Sequence, residues 1–219
     1  MSYKAALVDF DGTLADSMSC WLDLPWQAFR RAGLTPPENF DELLRSTPMW
    51  EVAEQLQRDY PGLSPELPLL DYWLRLMEEN YLCRVALKPG ALELLALLRR
   101  KGLKILVLSA TSQPMLNTAL SHFGLLRRID GAVTEDEAGS KHSSAPYDAC
   151  AGLLGCAREE LLLIEDAPRN LATARSLGLG TVGVYDASMA EELPLLRQNA
   201  QVYLPDYSDL SALEALLEA

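Results

Sequence analysis

The stretch Ala5-Ala6-Leu7-Val8-Asp9-Phe10-Asp11-Gly12-Thr13 decides how this chain folds. Four apolar residues run without interruption and stop at a polar turn. A strand with one wet face alternates apolar and polar residues. A continuous apolar run that halts this way suits a strand buried on both faces, as in a parallel sheet. Outward from it the pattern repeats: Leu103 to Leu108 stops at Ser109, Leu161 to Ile164 stops at Glu165-Asp166, and Gly180 to Val184 stops at Tyr185-Asp186. Asp130 to Thr134 is a weaker candidate. Between these runs lie helical patterns at Pro89 to Lys101, Pro114 to Phe123, Pro146 to Leu154 and Pro168 to Leu177. Each has Pro in its first turn and stops at a glycine (Gly102, Gly124, Gly155, Gly178), the expected asymmetry of helix ends. Strand and helix alternating at this rhythm predict an α/β fold built on a doubly wound parallel sheet.

Residues 15–86 break the rhythm. They contain all four tryptophans (Trp21, Trp26, Trp50, Trp73), no lysine and no convincing strand. Helical stretches are expected at 18–32, 40–59 and 67–83, and a last helix at 208–218. A connection of this length far exceeds the usual crossover, so the segment reads as a helical domain inserted after the first strand, with helices covering one sheet face as the alternative. The tryptophans read as core.

Composition narrows the function. Hydrophobic residues at 49% and charged residues at 23% are too apolar for disorder. With 31 acidic against 19 basic residues the formal charge is −12, which disfavours nucleic acid and anionic membranes as partners. No apolar run reaches the roughly 18 residues of a membrane helix. The first dozen residues lack a signal-peptide pattern, and the expected compartment is cytoplasmic. Cys20, Cys83, Cys150 and Cys156 are scattered and read as reduced, mostly buried side chains. With His122 and His142 the only histidines, a structural zinc site is not expected.

In an open parallel sheet, ligands sit beyond the carboxyl ends of the strands. Here those ends deliver Asp9 and Asp11, Ser109, and Glu165 with Asp166. Asp9 and Asp11, two apart, point to one side while strand geometry lasts. Two such carboxylates repel, and a divalent cation relieves the repulsion; Asp166 can complete an oxygen-rich site suited to Mg2+. Taken singly, each residue has an ordinary reading: an Asx turn at Asp9 or Asp11, a helix cap at Ser109, a solvated surface charge at Lys141. Ser112 is the better cap, which leaves Ser109 available. The run Glu135-Asp136-Glu137 reads as a solvated loop.

In order along the chain, Asp9-Phe10-Asp11-Gly12-Thr13-Leu14 after an apolar strand, then Ser109, then Lys141 before a helix, then Glu165-Asp166 resemble the four motifs of haloacid-dehalogenase-superfamily phosphohydrolases. A helical insert directly after the first motif resembles the cap of the phosphoglycolate-phosphatase and β-phosphoglucomutase-like branch. The resemblance implies a Rossmann-like core of residues 1–14 and 87–219 and a helical cap of residues 15–86. It implies a Mg2+-dependent phosphatase acting on a small phosphorylated metabolite of phosphoglycolate, sugar or nucleotide type. Asp9 would be the nucleophile, forming an aspartyl-phosphate, and Asp11 the general acid and then base. Mg2+ would be held by the Asp9 carboxylate, the Asp11 main-chain carbonyl and the Asp166 carboxylate. Ser109, Ala110, Gly12 and Lys141 would bind the phosphate. Glu165 and Asn170 would stand one step behind the metal.

There are departures. The family commonly has Pro after the motif lysine, where this chain has His142. Many members have a second Asp where this chain has Asn170, whose amide can bond Lys141 or a metal-bound water. A dehalogenase is disfavoured because Asp11 is an acid. A phosphomutase is the nearest rival, but Asp16-Ser17-Met18-Ser19-Cys20-Trp21 lacks the histidine of those relatives. A degenerate phosphate-binding protein is the non-enzymatic alternative. Specificity is expected in the cap, where Arg30, Arg31, Arg45, Arg58, Arg75 and Arg84 are the fixed cations.

Overall fold

Continuous apolar runs give strands that must be covered on both faces, and the structure meets that demand with a six-stranded parallel sheet. The computed structural model describes residues 3–218, the side chain of Arg45 excepted. The order is β1 (Ala5–Val8), α1 (Met18–Ala32), α2 (Phe40–Ser46), α3 (Met49–Asp59), α4 (Leu69–Cys83), α5 (Ala91–Arg100), β2 (Lys104–Ser109), α6 (Gln113–His122), β3 (Gly131–Thr134), α7 (Glu135–Ala138), α8 (Ala145–Leu154), β4 (Leu161–Glu165), α9 (Pro168–Ser176), β5 (Gly180–Val184), α10 (Leu193–Asn199), β6 (Val202–Leu204) and α11 (Ser211–Glu218).

The strands lie in the order β3-β2-β1-β4-β5-β6. Ala5, Leu7, Leu106, Leu108, Leu161 and Leu163 pack in one cluster with Tyr147 and Cys150 of α8, Leu171 and Ala174 of α9 and Leu196 of α10. The alternate residues Ala6, Val8, Ile105, Val107, Leu162 and Ile164 are equally buried, so both faces are covered. In register, Leu7 stands beside Leu106 on one side and Leu163 on the other. Two residues on, the same row carries Asp9, Leu108 and Glu165, and the Asp9 N–H donates to the Ile164 carbonyl at 2.9 Å. The pairing that aligns the core thus sets Asp9 beside Glu165, on the face covered by α8.

Residues 19–85 form one compact unit; the segments up to residue 18 and from residue 86 onward form the other. Inside the helical unit, Phe29 meets Phe40 and Tyr60 edge-on with ring centroids 5.1 Å apart in each pair. Leu56, Leu69, Trp73, Leu76 and Met77 are buried. The expected helix over 40–59 is two helices. Thr47, preceding Pro48, is extended (φ −129°, ψ 137°) and ends α2, because the residue before proline is pushed out of the helical region. Trp50 is 53% exposed and is not core. Cys83 is exposed, whereas Cys20 and Cys150 are buried. β6, three residues long, has no signature in the sequence; it pairs with β5 at the sheet edge. Among the described residues no helix is long and apolar enough to cross a membrane.

Candidate active site

The strand order reverses between β1 and β4, and that switch point is where such sheets open a crevice beyond their carboxyl ends. Asp9 follows β1, Glu165 closes β4 and Asp166 comes next. The ligand oxygens of Asp9, Glu165 and Asp166 lie within 4.8 Å of one another, and all three residues are buried. Lys141 reaches into this group: its Nζ is 2.7 Å from Asp9 Oδ1 and 2.8 Å from Glu165 Oε2.

With all three carboxylates ionised, one ammonium would leave two negative charges in a dry place, so protons or a cation must offset them. Burial, followed by the charge of Glu165, pushes the Asp9 carboxyl up to about 8 even against the pull of Lys141. Burial, then Glu165 and Asp9, hold Asp166 well above the usual carboxylate range. Burial alone would lower the Lys141 ammonium, but Asp9 and Glu165 outweigh it and keep the lysine charged. A dication would offset the ionised carboxylates in place of those protons, and hard carboxylate oxygens suit a cation such as Mg2+. The oxygens of Glu165 are already committed. Oε1 accepts the Ala167 N–H at 3.1 Å, and Oε2 accepts Lys141 and, at 3.1 Å, Asn170 Nδ2. Asp9 and Asp166 are therefore the better carboxylate ligands. Asn170 bonds Glu165 rather than Lys141.

Asp11 behaves differently. The chain turns immediately after Asp9: the N–H groups of Leu14 and Ala15 both donate to the Phe10 carbonyl, at 2.9 and 2.8 Å. Strand geometry has ended, and the two carboxylates part. Asp11 Oδ1 accepts the Ser17 hydroxyl at 2.6 Å, and Oδ2 accepts the Thr111 hydroxyl at 2.7 Å. With both carboxylate oxygens engaged, Asp11 has its main-chain carbonyl left to offer a cation. Gly12 lies in the same turn at φ +80°, and a Cβ there would stand 2.4 Å from Asp166 Oδ2. Both the backbone conformation and the closeness of that carboxylate require glycine.

Ser109 ends β2, buried, and its Oγ accepts the Thr111 N–H at 3.0 Å. Ala110 is exposed between them. Ser112 takes the cap position of α6, but its side chain makes no cap bond.

Sequence reasoning missed what holds Lys141. Without the family's proline, its main chain is held at both ends: its N–H donates to Glu135 Oε1 at 2.5 Å, and its carbonyl accepts the buried Tyr147 hydroxyl at 2.9 Å. The acidic run read as a solvated loop is instead the short helix α7, whose first residue anchors the lysine. An acid six residues before a motif lysine was the available signal. Thr13, Ser17 and Thr111 were likewise unassigned. Of the arginines in the helical unit, Arg30 and Arg84 pair with Asp23, and Arg31 pairs with Glu79. The Arg45 side chain lies outside the described residues.

This fold and this site define an enzyme of the doubly wound α/β class, with an acidic, lysine-braced centre at the switch point. The chain belongs to the haloacid dehalogenase-like hydrolase family, whose model matches residues 6–184. It is 24% identical over 209 residues to validoxylamine A 7'-phosphate phosphatase of Streptomyces hygroscopicus subsp. limoneus, covering 95% of this chain and 96% of that one. It is 27% identical over 187 residues to hexitol phosphatase A of Escherichia coli strain K12, covering 84% of each. A family hydrolase from Deinococcus radiodurans R1, solved with bound phosphate and sodium, superposes with a TM-score of 0.72 at 21% identity, over 99% of this chain and 96% of that one.

Proposed function

We propose that this hydrolase is a Mg2+-dependent phosphatase of small sugar- or polyol-type phosphate monoesters, working through an aspartyl-phosphate on Asp9. The carrying observation is the buried group of Asp9, Asp166 and Glu165 with Lys141 inserted, three acids against one ammonium. Both named relatives, which match most of the chain, are phosphatases, and the hexitol phosphatase supports the polyol class.

Asp9, Asp166 and the Asp11 carbonyl would hold the metal, which when bound supplies charge that lets an anionic carboxylate meet an anionic phosphate. Asp9 attacks phosphorus; the new Asp9–phosphorus bond forms as the bond to the substrate alcohol breaks. Lys141 steadies the Asp9 carboxylate and offsets phosphate charge. Ser109 and the main-chain N–H near Ala110 receive the phosphate oxygens; the Gly12 N–H is already committed to the Ala15 carbonyl at 2.9 Å, so Gly12 serves by shaping the turn. Asp11 gives its proton to the departing alkoxide, and then takes one from the water that cleaves the acyl phosphate. To do so it releases one of its two hydroxyl partners, Ser17 or Thr111. The helical unit of residues 19–85 serves as the cap that carries specificity.

The test is release of phosphate from p-nitrophenyl phosphate and from a panel of sugar and polyol phosphates, with Mg2+ and with EDTA. Turnover that needs Mg2+ is expected. Acid-quenched protein should carry radiolabel from a labelled substrate in the wild type and none in Asp9→Asn. Normal turnover by Asp9→Asn would falsify the nucleophile. Isomerised sugar phosphate without free phosphate would show a mutase instead.

A further inference from the structure

The family match ends at residue 184, yet the chain beyond it returns to the site. We propose that Tyr207, just after β6, is a positioning residue for the metal-binding edge, acting through Thr13 on Asp166. This rests on the metal reading above and adds a residue to it.

Tyr207 is 4% exposed, and its hydroxyl donates to the Thr13 carbonyl at 2.8 Å. Thr13 is fully buried, and its own hydroxyl donates to Asp166 Oδ1 at 3.2 Å. The turn of residues 10–15 uses the carbonyls of Phe10 and Ala15 for its internal bonds. Among the described residues the Tyr207 hydroxyl is the donor that meets the carbonyl of Thr13. An unpaired buried carbonyl is costly, so this bond fixes the residue whose side chain orients Asp166. With Oδ1 tied to Thr13, Oδ2 lies against Gly12, where a Cβ would collide with it. The seat of the phenol is built from a second segment too: Gly90, at φ +85°, would place a Cβ 2.6 Å from Tyr207 Cβ. Burial, with the charges of Asp166 and Asp9, pushes the phenol well above its ordinary range, so the hydroxyl remains a donor throughout the working pH range.

Partners that orient a metal ligand typically carry a roughly 10- to 100-fold effect on metal affinity. Acting through one intervening residue, Tyr207 should lie near the lower end. The experiment is calorimetric titration of EDTA-stripped protein with Mg2+ alone, so the readout is the dissociation constant and not turnover. Tyr207→Phe keeps the ring and should weaken Mg2+ about tenfold. Thr13→Val should weaken it to a similar degree and Thr13→Ser should bind like the wild type. Adding Tyr207→Phe to Thr13→Val should change nothing further. Asp166→Asn should abolish binding; if it binds like the wild type, the metal reading itself fails. If Asp166→Asn loses binding while Tyr207→Phe binds normally, or if the Thr13 and Tyr207 effects add in full, the Tyr207 proposal is overturned. Should Tyr207→Phe fail to fold, normal binding by Thr13→Val overturns it equally.

Discussion

Lys141→Met offers the sharpest test of how the centre is held together. The ammonium stands 2.7 and 2.8 Å from two carboxylate oxygens, with side chains of Lys141, Asp9 and Glu165 only 4%, 6% and 2% exposed. At an effective dielectric of about 20, each contact is worth about 6 kcal/mol of gross attraction, most of it offset by desolvation. Methionine nearly preserves the volume of the stem, so the cavity cost is small. What remains is the penalty of uncompensated buried charge, about 3–5 kcal/mol. For a chain of this size that corresponds to a fall in Tm of roughly 6–20 °C. The variant's carboxylates should answer by holding protons more tightly. A carboxyl raised in the folded state loses stability as pH climbs toward its folded value. The defect should therefore be largest at pH 8 and smaller at pH 5. Adding Glu165→Gln to Lys141→Met removes one of the stranded charges and should recover part of the loss. The assay is thermal unfolding by circular dichroism in EDTA at both pH values. Equal Tm for variant and wild type at pH 8, or a further full-sized loss on adding Glu165→Gln, would refute the charge-balance reasoning.

Gly12→Ala should cost about 1–2 kcal/mol for the left-handed conformation alone and, because its Cβ invades the Asp166 carboxylate, reduce p-nitrophenyl phosphate turnover at least a hundredfold; wild-type turnover would contradict the close approach. Asp186, paired with Lys88 at 2.9 Å, is buried, but bonds from Ser188 and Lys88 overcome that burial and hold its carboxyl below the usual 3.8. Its contribution is full above that value and vanishes as pH falls through the lowered one. Asp186→Asn should accordingly be less stable than wild type by about 2 kcal/mol at pH 7, the gap narrowing as pH falls below the usual 3.8 in denaturant melts. Burial pushes the Cys150 thiol up to about 12, leaving about one thiolate in ten thousand at pH 8. A disulfide reagent at pH 8 should modify exposed Cys83 within seconds and Cys150 only on unfolding, as read by mass spectrometry of the labelled peptides.

Much of the core was legible because its signals are local. An apolar run ending in a polar turn marks a buried strand wherever it occurs, and Pro and Gly punctuate the helices between. The break at Thr47-Pro48 was equally local and readable, but the apolar spacing from 40 to 59 masked it. β6 was not legible, since three residues carry no periodicity and its pairing depends on an edge that β5 alone supplies.

The acids at the strand ends were visible one by one in the chain. Their meeting was set by register: Asp9 and Glu165 share a row because Leu7 and Leu163 do. Residue type and order by themselves determined the parallel α/β class, the helical interruption and the identity of the charged groups, because these follow from short-range pattern. Only the tertiary structure decided that Asp11 turns to Ser17 and Thr111, that Glu135 and Tyr147 grip Lys141, and that Tyr207 reaches Thr13 across 194 residues. Hydrogen bonds between distant segments leave no periodic trace in a sequence; they exist only once the sheet has set the distances.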